Sequence, residues 1–238
     1  MRHSPKISVS VMCSDLLSLG RDIETLERLG VDMLHVDVMD AHFVPNLTFG
    51  PDFIKAMQRF TRLPVDCHFM VTDPELMFSK LTLREGDIFT AHVELTAAEA
   101  GQDAPFPSDP RSYRELASKV HASGALFGLA VNPETPVEAL EPHLDIIDRV
   151  TLMLVHPGFA GAKMVEGIME KVAAAREFLD GNGRPDVEIS VDGSVSAERA
   201  AYMAGLGASI FVGGTAGIYR QGLSLDETIP AFRRAIEI

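Results

Sequence analysis

Basic residues are scarce, cysteines number only two, and no apolar run is long enough to cross a membrane. Each shortage removes a class of function. Lys and Arg total 21 against 34 Asp and Glu, a formal net charge of −13. A surface this acidic repels nucleic acid and anionic membranes, so neither is an expected partner. A transmembrane helix needs about 20 consecutive apolar residues, and no segment approaches that length. Met1 to Lys6 also lacks the apolar core of a secretory leader. Cys13 and Cys67 fall in predicted strand regions without a metal-type CxxC spacing. Reduced thiols and a cytoplasmic location are the reading that follows.

What is present is an ordinary globular composition, 46% hydrophobic and 23% charged over 238 residues. That is enough chain for one large core. Short β-rich apolar runs alternate with amphipathic segments about eight times. The predicted strands are Lys6–Met12, Met33–Met39, Pro64–Met70, Asp87–Glu94, Leu126–Asn132, Val150–His156, Val187–Asp192 and Ser209–Gly213. Between and after them, apolar residues recurring every three to four positions predict helices over Leu16–Leu29, Asp52–Phe60, Pro74–Leu81, Tyr113–Ala122, Pro136–Leu140, Val165–Leu179, Ala197–Ala204 and Leu225–Ile236. Strands alternating with helices imply a parallel sheet. Eight such units in this length fit a closed (β/α)8 TIM barrel better than an open doubly wound sheet. The expectation is an α/β chain with one barrel domain over 1–238. Ala97–Arg111, with Pro105, Pro107 and Pro110, interrupts the rhythm as a longer loop after the fourth strand.

Barrel chemistry gathers where strands exit, and three exits here carry potential ligands. Side chains alternate along a strand, so His35, Asp37 and Met39 share one face while Val36 and Val38 take the other. His68 and Met70 share a face of the third strand, and the seventh runs into Asp192 and Gly193. Taken singly, each has a plainer explanation. An inward His is often just hydrogen-bonded, a strand-end Asp often caps the next helix, and an inward Met usually packs. Taken together, two imidazoles and two carboxylates at exits of matching parity suggest a mixed nitrogen and oxygen metal site. Asp40 and His42 lie just beyond the second strand, Asp40 as a supporting or loop-capping residue. His92 and Asn132 end strands four and five as weaker candidates for substrate or supporting contacts.

The run His35-Val36-Asp37-Val38-Met39-Asp40-Ala41-His42-Phe43-Val44-Pro45-Asn46-Leu47-Thr48-Phe49-Gly50-Pro51 resembles the signature of the ribulose-phosphate 3-epimerase family. The likeness continues through Asp66-Cys67-His68-Phe69-Met70-Val71, Asn132-Pro133-Glu134-Thr135-Pro136, Pro157-Gly158-Phe159-Ala160-Gly161, Val191-Asp192-Gly193 and Gly213-Gly214-Thr215. The stretches Ser10–Leu17, Asp66–His68, Gly158–Gly161 and Asp192–Ser194 are similar to the allulose-6-phosphate 3-epimerase branch. The resemblance implies a barrel of the ribulose-phosphate-binding type. It also implies that His35, Asp37, His68 and Asp192 hold a divalent metal, with Zn the first choice and Mn, Fe(II) or Co as alternatives. Asp37 and Asp192 would double as the acid/base pair. Ser10 would lie near the substrate, and Met39, Met70 and Met153 would cover its reacting carbons. Gly158 and Gly161, in the mobile loop after strand six, would contact the substrate, and Gly193, Ser194, Gly213, Gly214 and Thr215 would cradle a phosphate. Relatives associate as dimers or hexamers, so a homo-oligomer is expected. The sequence departs from the family at Ala41, where Gly is usual, at His156, where Asn or Asp is usual, and at Ala162 and Met164, where Gln and Phe are common.

The implied reaction inverts C3 of a small phosphorylated ketose, either ribulose 5-phosphate/xylulose 5-phosphate or allulose 6-phosphate/fructose 6-phosphate. Proton removal leaves an enediolate whose charge a chelated cation stabilises, while carboxylates on opposite faces exchange the proton. An acidic chain must bind the phosphate locally, and backbone amides at helix starts can do so. Two rivals follow from the same scaffold. A phosphate-binding barrel lyase or decarboxylase would need a strand-end lysine, yet Met39 stands where the decarboxylase motif requires one, and Lys163 lies in a loop. A non-catalytic sugar-phosphate-binding protein would have lost one of the two carboxylates.

Overall fold

The computed structural model describes residues 3–95 and 110–237. Eight parallel strands close into a barrel in chain order. They are β1 (Lys6–Ser10), β2 (Met33–Met39), β3 (Val65–Met70), β4 (Ile88–His92), β5 (Leu126–Val131), β6 (Arg149–Met153), β7 (Glu188–Asp192) and β8 (Ile210–Gly213). Outside them pack α1 (Leu19–Arg28), α2 (Pro51–Phe60), α3 (Pro74–Ser79), α4 (Pro110–Ala122), α5 (Glu170–Gly181), α6 (Ala197–Leu206) and α7 (Leu225–Ile236). This is the expected (β/α)8 barrel. The predicted loop at 97–111 lies outside the described residues as far as 109, and Pro110 opens α4.

The differences from the predicted elements have local causes. The helix expected over Pro136–Leu140 is a 3-10 segment, Val137–His143. Pro142 inside it has no N–H to give to an α-helical ladder. Helix α1 begins at Leu19 rather than Leu16 because Asp15 accepts bonds from Leu17 N and Ser18 Oγ and forms a turn first. Helix α5 begins at Glu170, five residues late, because Gly167 adopts φ +73°. Strand one ends at Ser10, and Val11–Cys13, including Cys13, forms a 3-10 turn. Strand four stops at His92 before the 3-10 turn Val93–Leu95, and strand six stops at Met153.

Alternation divides the barrel wall into two surfaces. Outward residues such as Val9, Val36, Phe69, Phe89, Phe127, Leu152, Val191 and Phe211 are fully buried against the helices and form the main core. The inner surface is polar: Ser8, His35, Asp66, Thr90, Arg149, Thr151 and Ser190 are all buried. At the strand-entry end Met33, Ile88, Ile210 and Leu126 form a separate apolar plug. The polar interior therefore faces the strand exits.

Phe89 stacks between Phe69 and Phe127 at ring-centroid distances of 4.3 and 6.4 Å. Phe89→Ala is expected to destabilise the fold by about 3–5 kcal/mol, whereas Leu17→Ala, at a position 99% exposed, should change it by less than about 0.5 kcal/mol. Urea unfolding of the two variants beside the parent checks both, and equal effects would contradict this division of the core.

Candidate active site and metal centre

Strands β2 and β7 stand three steps apart around the ring, by way of β1 and β8. They bring Asp37 and Asp192 to the mouth from different sides. Register adds the imidazoles: Asp37 pairs with His68 across β2 and β3, and His35 lies two residues before Asp37 on the same face. His35 Nε2 is 3.2 Å from Asp37 Oδ1 and 3.5 Å from Asp192 Oδ2. His68 Nδ1 is 3.1 and 3.7 Å from the same two oxygens. One donor atom from each residue lies within 4.8 Å of all the others.

These four side chains fit a divalent cation. A tetrahedron of ligands about 2.0–2.1 Å from an ion has edges of about 3.3–3.4 Å, and the four contacts straddle that length. Two nitrogens and two carboxylate oxygens, with no thiolate, suit first-row transition ions. The local field points the same way. Burial disfavours a charged His35, but Asp37 and Asp66 raise its pKa well above the ordinary histidine value. Burial likewise opposes ionisation of Asp37, yet His35 and His68 hold its carboxyl far below the usual range. A site that draws a proton onto a buried imidazole will draw a cation by the same attraction.

Further groups hold these side chains. Ser10 Oγ donates to Asp37 Oδ2 at 3.2 Å. The far nitrogen of His35, Nδ1, faces Asp66 Oδ2 at 3.0 Å, and Arg149 lies 3.3 Å from that same oxygen. With Nε2 turned to the site, Nδ1–H donates to Asp66, which fixes the ring's tautomer and direction. His92 supports His68, and burial pushes its own pKa below the ordinary value. Sequence reasoning placed His92 and Asn132 among supporting groups but missed Asp66, Glu94 and Arg149. Asp66 was detectable, since it shares strand parity with His68. Arg149 was not, because its partner lies three strands away.

A cavity of about 220 Å³ opens above these groups. Asp37 and Asp192 border it, as do Ser10, Met39, Met70, Met153, Gly158, Gly161, Gly193, Ser194, Gly214 and Thr215. Of the residues anticipated from the sequence, His35 and His68 lie buried beneath it and Gly213 stands outside the lining. Gly213 is glycine for packing, since a Cβ there would come within 2.3 Å of Ile218 Cγ1. Among the described residues, no lysine or arginine lines it. Gly193 has φ +110° with Val155 Cγ2 only 2.6 Å from where a Cβ would sit. Ser194, at φ +54°, is held by Arg199, whose Nη1 donates to the Ser194 carbonyl and Oγ. His156 turns outward and pairs with Glu134 at 3.3 Å.

Asp40 organises the loop that follows β2. It accepts from the backbone N–H groups of His42, Phe43 and Thr72 and from the Thr72 hydroxyl. The loop then crosses the mouth, where Asn46 Nδ2 donates to the Gly158 carbonyl at 2.6 Å. Ala41 sits at φ +61°, a left-handed conformation that glycine adopts at lower cost.

Sequence comparison agrees with this geometry. A model of the Ribulose-phosphate 3 epimerase family matches residues 6–218. The chain belongs to the ribulose-phosphate 3-epimerase family. Members of this family of carbohydrate isomerases that it resembles include the ribulose-phosphate 3-epimerase of Bacillus subtilis, 34% identical over 216 residues and covering 91% of this chain and 93% of the relative. That of Rhodobacter capsulatus is 37% identical over 220 residues, 92% of this chain and 88% of the relative. A cytoplasmic isoform from Oryza sativa subsp. japonica is 33% identical over 237 residues, 98% and 94% of the two chains. Among solved structures, (S)-3-O-geranylgeranylglyceryl phosphate synthase from Thermoplasma acidophilum superposes with a TM-score of 0.59 at 15% identity, covering 99% of this chain and 94% of the other. A 3-hexulose-6-phosphate synthase gives 0.59 at 13%, covering 97% and 99%. Identities that low show the shared barrel alone. Among the described residues no helix is long and apolar enough to cross a membrane.

The Asp40 carboxyl is subject to burial that would raise its pKa, but its four donors hold it below the ordinary value. Stability from such a depressed carboxyl is complete above the unfolded-state value of about 3.9 and is lost as pH falls through the lower folded value. Asp40→Asn is expected to destabilise by about 1–3 kcal/mol near neutrality. The gap from the parent should narrow below about pH 4. Urea unfolding across that range checks it, and a gap that does not change with pH would contradict it.

Proposed function

We propose that this chain inverts C3 of a 2-ketose phosphate, using Asp37 and Asp192 as the proton-transferring pair. The observation that carries the reading is the convergence of His35, Asp37, His68 and Asp192 at the barrel mouth beside a cavity that Asp37 and Asp192 border. The ionised carboxylate on one side of the substrate takes the C3 proton, and the protonated one opposite delivers a proton to the other face. The two exchange roles when the reaction runs backward. Ser10 holds the second Asp37 oxygen and so limits its rotation. A divalent ion held by His35, Asp37, His68 and Asp192 would supply positive charge for the negative charge developing on the C2 and C3 oxygens. Zn is the first candidate, and Mn, Fe(II) and Co suit the same donors.

Met39, Met70 and Met153 offer the reacting carbons apolar, adaptable cover and exclude water from them. The phosphate goes to the far side of the cavity, at Gly193–Ser194 and Gly214–Thr215. There, the Gly193–Ser194 turn precedes the N-terminus of α6 and the Gly214–Thr215 turn follows β8, and their backbone N–H groups can serve an anion. That no described residue lining the cavity is a lysine counts against the lyase reading. Relatives named ribulose-phosphate 3-epimerase favour the five-carbon pair ribulose 5-phosphate and xylulose 5-phosphate. The Phe159-Ala160-Gly161 and Asp192-Gly193-Ser194 stretches favour the six-carbon pair allulose 6-phosphate and fructose 6-phosphate.

A panel of four-, five- and six-carbon ketose phosphates in deuterated water separates these readings. Deuterium at C3 is expected in one chain length far ahead of the rest, and incorporation into none would sink the proposal. Asp192→Asn should reduce turnover by at least about a hundredfold, and activity within a few-fold of the parent would remove Asp192 from the proton transfer. Dialysis against a chelator should abolish turnover, and added Zn²⁺ or Mn²⁺ should restore it.

A further inference from the structure

The two imidazoles at the mouth are held in different ways. His35 rests directly on Asp66, whereas the far nitrogen of His68, Nε2, meets a second ring, with His92 Nε2 at 2.9 Å. Beyond it His92 Nδ1 lies 2.9 Å from Glu94 Oε2, and Glu94 Oε1 receives the backbone N–H of Asn132 at 2.7 Å. The polarity of this chain follows from its fixed end. The Asn132 amide can only donate, and ionised Glu94 can only accept. His92 must then donate from Nδ1, and a ring that places its one N–H there presents a bare Nε2. Two ring nitrogens 2.9 Å apart cannot both carry hydrogen, so His68 donates from Nε2 and its Nδ1 is bare. That bare nitrogen is the one facing Asp37 and Asp192.

We propose that Glu94, acting through His92, is a positioning residue that locks His68 in the tautomer able to ligate a cation. The inference rests on the metal-centre reading above. The surroundings keep the relay dry and aligned. His92 is fully buried, the Phe43 ring lies against it at 4.6 Å, and the Tyr113 hydroxyl fixes its backbone by donating to the His92 carbonyl at 2.8 Å.

Glu94→Gln tests the polarity with almost no change of shape. If the amide oxygen keeps the Asn132 N–H, the amide nitrogen must donate to His92 Nδ1. His92 then carries hydrogen on Nε2, and His68 is driven to put its own on Nδ1, where the ligand lone pair has to be. If the amide turns over, its NH2 faces the Asn132 N–H and two donors collide. Cobalt(II) is the probe, since its visible absorption reports coordination while chelator competition on the purified full chain gives affinity. Glu94→Gln is expected to weaken Co²⁺ binding by about 10- to 100-fold and to alter the absorption bands, with far-UV circular dichroism unchanged. His92→Phe keeps the stacking, removes the acceptor and should weaken binding on the same scale. If that variant does not fold, Glu94→Gln decides alone. In a His68→Ala background, Glu94→Gln should make no further difference. Binding by Glu94→Gln within about twofold of the parent, or an undiminished effect when His68 is absent, overturns the inference. A parent that does not bind Co²⁺ overturns the metal centre itself, and the relay with it.

Discussion

Buried negative charge must be matched where it lies, and that constraint organises the inside of this barrel. Asp37, Asp66 and Glu188 project inward, and none is left without a positive or proton-bearing neighbour. From the mouth downward the order is Asp37, His35, Asp66, Arg149, Glu188 and Lys6, with successive separations of 3.2, 3.0, 3.3, 3.7 and 2.6 Å. Acid alternates with base along the whole depth of the sheet. The ladder explains why arginine is the largest fully buried side chain in a place where barrels normally stack Val, Ile and Leu. Gly128 on β5 contributes by omission, since a Cβ there would come within 2.8 Å of Thr90 Oγ1 and 3.6 Å of Arg149 Cβ.

Much of the fold could be read from the chain because each strand is a short apolar run ended by polar residues. Strand β2 was placed residue for residue over Met33–Met39. Boundaries failed where hydrophobicity outlasted pairing. Leu154 and Val155 continue the apolar run of β6, but the chain bends there, and Leu154 N makes its bond to β7 at the Asp192 carbonyl, 2.7 Å away. The inward cluster was legible through parity, since alternation sent His35, Asp37 and His68 to one surface, and its assignment as a ligand set came from the family resemblance. What holds those side chains was not legible. The contacts of Asp66 with His35, of His92 with His68 and of Arg149 with Asp66 all cross between strands. Such contacts depend on register, and register is set by closure of the ring rather than by any one segment.

The mouth has two electrostatic characters within a small span. One side concentrates carboxylates and imidazoles. The other is made of the glycine-containing turns at Gly193–Ser194 and Gly214–Thr215. In a chain of net charge −13, fixed amide dipoles suit an anion because they bring no compensating acid with them. Arg199 serves this side indirectly, bracing Ser194 in its left-handed conformation rather than entering the cavity.

The plug of Met33, Ile88, Ile210 and Leu126 gives the barrel the topology of a cup. Water and solutes reach the polar interior from the rim, so arriving and departing molecules share one doorway. A reaction whose two sides differ only in the hand of a single carbon is well served by that arrangement. Whatever shape the rim admits, it also releases, and flow in either direction is governed by concentration outside rather than by any asymmetry of passage through the protein.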